Sequence, residues 1–172
     1  MNNQNKIKIL FVIAHETFRD EEYKIPREIL ESNGFSVIVA SSEKKPAISK
    51  YGMKVDVDLL LEEAKVKDFS AIVFVGGSGC KQYWNDITAH SLAKEFYEAG
   101  KLTTAICSAP VILANAGILK DKNATCFTDD KQHLLKNGAN YIDEEVVTDG
   151  NIITGRDYNA SEKFGHTILV RL

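Results

Sequence analysis

The sequence predicts an α/β fold, a mostly parallel sheet covered by helices on both faces. Three observations carry that expectation. β-branched apolar runs alternate with segments of helical periodicity, and the connections between them are short. The first run, KIKILFVIA (Lys6–Ala14), is almost continuously apolar after its opening turn, as a strand buried on both faces should be. LTTAICSAPVILANAG (Leu102–Gly117) passes from a β-prone run through Cys107 into a Pro-led apolar helix, the cysteine counterpart of a serine nucleophile elbow.

After the first strand, Asp20 to Ser32 reads as a helix, with acidic residues at its start and Gly34 just past its end. Pro26 is tolerable there only in the first turn or as a kink. FSVIVAS (Phe35–Ser41) is a second strand, followed by a polar loop around Lys44–Lys50 and a weakly alternating stretch at Met53–Leu59. SAIVFV (Ser70–Val75) leads into a Gly-rich loop, Gly76–Gly79, and a helix from Thr88 to Ala99 stops at Gly100. The strand LTTAI enters the cysteine corner, and helix Val111–Ala116 ends at Gly117. A short strand is expected at Ala124–Phe127 and a helix at Asp129–Lys136. Asp149–Gly150 marks the turn of a hairpin spanning Val146–Thr154, and a last helix runs from about Ala160 to Val170.

With 172 residues, 44% of them hydrophobic, the chain reads as one domain, 1–172, able to bury its own core. Its net charge of −3 is dispersed, so neither a nucleic-acid surface nor a membrane partner is expected. No apolar run reaches the ~18 residues that a membrane span needs. The polar MNNQNK at the start does not read as a signal peptide. Cys80, Cys107 and Cys126 lack CxxC spacing and are odd in number, which favours a reducing, cytoplasmic setting over disulfides or structural zinc.

In open α/β sheets, ligands gather outside the carboxyl ends of the strands. Residues that follow strand ends are therefore the site candidates. His15 and the acidic group Asp20, Glu21 and Glu22 follow the first strand, and Gly76, Gly77 and Ser78 follow Val75. Cys107 and Ser108 follow Ile106, Thr128 to Asp130 follow Phe127, and Gly155 and Arg156 follow Thr154. At a helix start, orphan N–H groups and the helix dipole favour a thiolate at Cys107. The two glycines expose backbone N–H groups able to hold an oxyanion, and GGSGCK has neither phosphate-loop spacing nor a third Rossmann glycine. Taken singly, each member also has an ordinary explanation: a packing cysteine, a tight turn, a solvated Glu22, a surface ion pair at Arg156.

Of the four histidines, His90, His133 and His166 fall within helices and suit surface or packing roles. Asp129 and His133 stand at i, i+4, but no third metal ligand is evident and no metal is expected. His15 alone follows a strand end, so it alone is a candidate base for Cys107.

Four segments in order resemble the ThiJ/PfpI family of the class I glutamine amidotransferase-like superfamily. They are RDEEYKIPREIL (Arg19–Leu30), VFVGGSG (Val73–Gly79), AICSAPVILANAG (Ala105–Gly117) and IITGRDYNASEKF (Ile152–Phe164). The resemblance runs from Lys6 to Leu169 and implies a flavodoxin-like three-layer sandwich. It makes Cys107 the nucleophilic or oxidisable cysteine, and Glu22, four residues before Pro26, the carboxyl that hydrogen-bonds its sulfur. Gly76 and Gly77 match the oxyanion-type loop, with Ser108 beside them, and Arg156 matches a residue near the site in some members. The chain departs from the peptidase members, which carry a histidine directly after the cysteine, where Ser108 stands here. Other members carry a histidine after the strand ending near Phe127, where this chain has Phe127 or Thr128.

The resemblance thus implies a cysteine enzyme acting on a small reactive carbonyl, of glyoxalase or deglycase type, in stress protection. It implies no metal or organic cofactor, and it suggests a homodimer. A redox-sensing or chaperone-like homodimer built on an oxidisable Cys107 is the alternative, with Cys80 as a candidate resolving thiol. An intracellular peptidase or amidase is a third reading, weakened by Ser108, and a binding module without chemistry is a fourth.

Overall fold

The computed structural model describes residues 7–172, so MNNQNK and the Lys6 start of the first expected strand lie outside the described residues. Along the chain come β1 (Lys8–Val12), β2 (Glu16–Phe18), α1 (Asp20–Ser32), β3 (Ser36–Ser41), β4 (Ala47–Ser49), β5 (Lys54–Val55) and β6 (Leu59–Leu60). Then follow β7 (Ala71–Phe74), α2 (Ile87–Glu98), β8 (Leu102–Ile106), α3 (Pro110–Asn115), β9 (Asn123–Ala124) and α4 (Lys131–Lys136). The chain closes with β10 (Asn140–Tyr141), β11 (Val146–Asp149), β12 (Ile152–Gly155) and α5 (Ser161–Leu169).

The main sheet has seven strands in the order β11-β12-β8-β7-β1-β3-β6. Every pairing from β12 to β6 is parallel, and β11 alone runs antiparallel, as the hairpin partner of β12. The expected α/β sandwich is thus the observed one. α1 and α5 pack together over one side of the sheet, and α2, α3 and α4 form a second layer. Two-sided cover explains the unbroken apolar runs: Ile9, Leu10, Phe11 and Val12 of β1 and Ala71 to Phe74 of β7 are all buried.

α1 runs through Pro26 without a break. By helical register the missing N–H is the one that would bond the Glu22 carbonyl, so the turn carrying Glu22 loses one backbone bond. α5 passes close at that point: a Cβ on Gly165 would lie 2.9 Å from Pro26 Cα. Only a residue without a side chain fits between the two helices there.

Some expectations shift. The strand expected at Ala124–Phe127 is β9 at Asn123–Ala124, and it pairs with β10 rather than with the main sheet. Beyond it, Thr125 N–H donates to the Thr154 hydroxyl at 2.9 Å, a side-chain partner in place of a ladder. The stretch from Glu16 to Val55 holds a small three-stranded sheet, β2-β4-β5, whose strands of two or three residues are too short to show periodicity. The helix expected from Asp129 begins as a single 3-10 turn at Thr128–Asp130 before α4. No helix among the described residues is long and apolar enough to cross a membrane.

Candidate active site around Cys107

Cys107 directly follows β8 with φ at +66°, in the left-handed region that a side chain rarely adopts. Its backbone is held on both sides: its N–H donates to Gly155 O at 2.9 Å and its carbonyl accepts from Phe127 N at 2.7 Å. Two loops from neighbouring strands thus fix an elbow that local preference alone would not form.

Glu22, in the first turns of α1, is fully buried beside this corner. Neither carboxyl oxygen has a partner at full hydrogen-bond geometry. The Cys107 thiol and the Gly76 N–H are the groups that approach it. Burial raises the Glu22 pKa to about 7, against the pull of those two donors and of Arg19. Burial also raises the Cys107 pKa, and the Glu22 carboxylate raises it further, while the N–H groups of Gly77 and Ser108 draw it back. The expectation of a thiolate from helix-start amides alone is therefore corrected: desolvation outweighs the amides. Carboxyl and thiol act as one pair, the carboxyl buried and the thiol half-buried, in which protonated Glu22 changes from a repelling charge into a donor toward sulfur.

The Gly-rich loop divides its work. The N–H groups of Gly77 and Ser108 favour the ionised sulfur. Gly76 instead serves Glu22 and the backbone, its carbonyl accepting from Arg19 N at 3.0 Å. A Cβ on Gly76 would lie 2.6 Å from both Cys107 Cβ and Ile106 O, so only glycine permits this approach. Of the expected oxyanion-type loop of Gly76, Gly77 and Ser108, Gly77 and Ser108 line the cavity beside Cys107.

These groups line a cavity of about 330 Å³ that also takes in Arg19, Asp130 and Tyr158. Arg19 is fixed by Glu21, with Nε to Oε2 at 2.6 Å, and its guanidinium lies 4.0 Å from the Tyr158 ring centroid. Lys50 and Lys81 stand at the rim. Ser108 donates its hydroxyl to Asp130 Oδ2 at 2.6 Å, and both residues are buried.

Two candidates do not reach this cavity. After Ala14 the chain enters β2, whose pairing with β4 carries His15 toward Glu43, with Nε2 3.9 Å from the carboxylate. Arg156 is taken up by Asp143 and Asp157, each at 3.3 Å. Neither lines the cavity, so His15 as base and Arg156 as substrate contact are both corrected. His133 packs against Trp84 with ring centroids 4.7 Å apart and planes tilted by 52°, and His90 bonds the Trp84 carbonyl at 2.8 Å, both packing roles. Cys80 is fully buried, which drives its thiol pKa well up, and Cys126 is raised to about 12 by burial and Asp130. All three cysteines are free.

The sequence does not single out Arg19 or Tyr158 as site residues, and Asp130 stands out there only among the residues that follow strand ends. Arg19 and Tyr158 meet only because α1 and the turn before α5 converge.

An elbow cysteine paired with a buried carboxyl, at the carboxyl edge of a doubly wound sheet, defines a class of cysteine-centred α/β proteins. Within it the chain belongs to the DJ-1/PfpI family, whose model matches residues 7–171. It is 42% identical over 170 residues to an uncharacterized protein of Methanocaldococcus jannaschii, covering 97% of this chain and 83% of that one. It is 35% identical over 150 residues to the deglycase PfpI of Pyrococcus furiosus, covering 87% and 90%. Among solved structures, a ThiJ/PfpI domain protein from Brachyspira murdochii superposes with a TM-score of 0.94 at 38% identity, covering 97% and 99%. DJ-1beta of Drosophila melanogaster superposes at 0.88 with 27% identity, covering 97% and 90%.

Proposed function

We infer that the protein is a cysteine-dependent enzyme acting on small reactive carbonyls, of the glyoxalase or deglycase type. The observation that carries this reading is the convergence on Cys107 Sγ of the Glu22 carboxyl and the N–H groups of Gly77 and Ser108, at a cavity wall. Relatives named as deglycases, at about a third identity, support it.

For methylglyoxal, Cys107 sulfur adds to the aldehyde carbon, and the thiol proton passes to the carbonyl oxygen to give a hemithioacetal. Glu22 as carboxylate removes the proton from that carbon and returns it to the neighbouring ketone carbon. As the hemithioacetal hydroxyl proton passes to the ketone oxygen, the aldehyde carbon is oxidised to a thioester and the ketone is reduced to a hydroxyl. Water then releases lactate and restores the thiol. A carboxyl with a pKa near 7 is suited to both giving and taking that proton. Conversion of methylglyoxal to lactate should vanish in Cys107→Ala and fall by about 10²-fold or more in Glu22→Gln. Full activity in either variant would overturn the reading.

A second reading, oxidation sensing, is favoured by the same three donors, which could hold the oxygens of an oxidised sulfur. Intact-mass measurement after mild peroxide separates the two. Selective gain of two oxygens at Cys107 without carbonyl turnover supports sensing, and an unmodified Cys107 excludes it. A peptidase role is disfavoured because no histidine lines the cavity among the described residues. Stress protection, a cytoplasmic location and a homodimer accompany the proposal, the last being open to sedimentation analysis.

A further inference from the structure

The turn after Phe127 brings a second carboxylate to the Cys107 cavity, and packing does not explain it. Asp130 precedes α4 but makes no side-chain capping bond to that helix. Its side chain turns into the cavity instead, with Oδ2 taking the Ser108 hydroxyl at 2.6 Å. Among the described residues no other hydrogen bond reaches its carboxylate and no cation pairs with it. That leaves the second carboxylate oxygen without a protein partner. Asp130 lines the same cavity as Cys107 and is hydrogen-bonded to the residue that follows Cys107 in the chain.

We propose that Asp130, oriented by Ser108, is the base that activates water against an acyl group carried on Cys107. The inference rests on the nucleophilic role given to Cys107 above. Glu22 supplies the proton that the departing sulfur needs in the hydrolytic half-reaction, so the water proton needs a separate acceptor. In that step a water proton passes to Asp130 while the water oxygen bonds the acyl carbon. The carbon–sulfur bond then breaks, its electron pair staying on sulfur. The Glu22 carboxylic acid gives sulfur its proton, and the released acid leaves as carboxylate. Proton exchange with solvent resets Asp130 and Glu22. Ser108 is a positioning residue: its hydroxyl holds one carboxylate oxygen so that the other faces the acyl carbon.

The test uses p-nitrophenyl acetate with the intact protein. Nitrophenol release reports acylation, and intact mass follows the acetyl group on Cys107, with Cys107→Ala as the unlabelled reference. The wild type should take up and clear the acetyl group. Asp130→Asn should acylate at the wild-type rate yet clear it about 10²-fold more slowly. Ser108→Ala should slow clearance by a smaller factor. A purely structural role would depress acylation and clearance together, and that result would overturn the proposal. So would unchanged clearance in Asp130→Asn, or a wild-type Cys107 that the ester does not acylate. Failure of the carbonyl reading would register separately, in the methylglyoxal assay, since the ester bypasses that chemistry.

Discussion

Glu22 and Cys107 lie against each other at the elbow, and lack of water raises the proton affinity of both. The carboxyl has no compensating cation within hydrogen-bond reach. A dry acid–thiol couple of this kind affects stability as well as chemistry.

The raised Glu22 pKa predicts a definite stability profile. In the unfolded chain the carboxyl ionises near its ordinary 4.5, and in the folded protein near 7. Between those values the native state holds the extra proton, so its stability falls as pH rises through that window and levels off above it. The total loss is about 3 kcal/mol. Glu22→Gln cannot ionise, so the difference in urea unfolding free energy between variant and wild type should grow from pH 4.5 to 7. A difference independent of pH would contradict the assigned burial effect.

Gly76→Ala should damage the site and the fold together. Its Cβ would press on Cys107 Cβ and the Ile106 carbonyl, and backbone cannot give way as a side-chain end can. Thermal unfolding should show a loss of about 2 kcal/mol, with carbonyl turnover reduced beyond what partial unfolding explains.

His15→Ala and Arg156→Ala should leave turnover within about two-fold of wild type, because both side chains are engaged outside the cavity. A large loss of kcat in His15→Ala would return that histidine to the mechanism.

Arg19→Ala should act mainly on KM. The guanidinium lines the cavity between Glu21 and the Tyr158 ring but lies outside the set of groups at the sulfur. Its loss removes a cavity wall and a cation–π contact of about 1 kcal/mol. Steady-state kinetics should show kcat changing less than KM.

Much of the architecture was legible because it rests on local chemistry. Continuous apolar strands, the Asp149–Gly150 hairpin signal and the Cys107–Pro110 corner each express a short-range preference that packing reinforces. The strand-end rule finds Cys107, the Gly76–Gly77 loop and the acidic group Asp20 to Glu22, from which the family pattern singles out Glu22. The same rule misled at His15 and Arg156, since it marks an edge of the sheet and not the direction of a side chain. The β2–β4 pairing turns His15 away, and two aspartates capture Arg156. Arg19, Tyr158 and the Ser108–Asp130 bond depend on loops distant in sequence, and periodicity carries no record of such meetings.

The left-handed backbone at Cys107 has a further consequence. Glycine is the residue that such a φ accommodates without strain. The elbow position thus opposes the fold's own preference, by about 1 kcal/mol. A chain shaped for durability alone would carry glycine at 107 and would be a sturdier, chemically silent protein. Reactivity and robustness are here set against each other at a single residue.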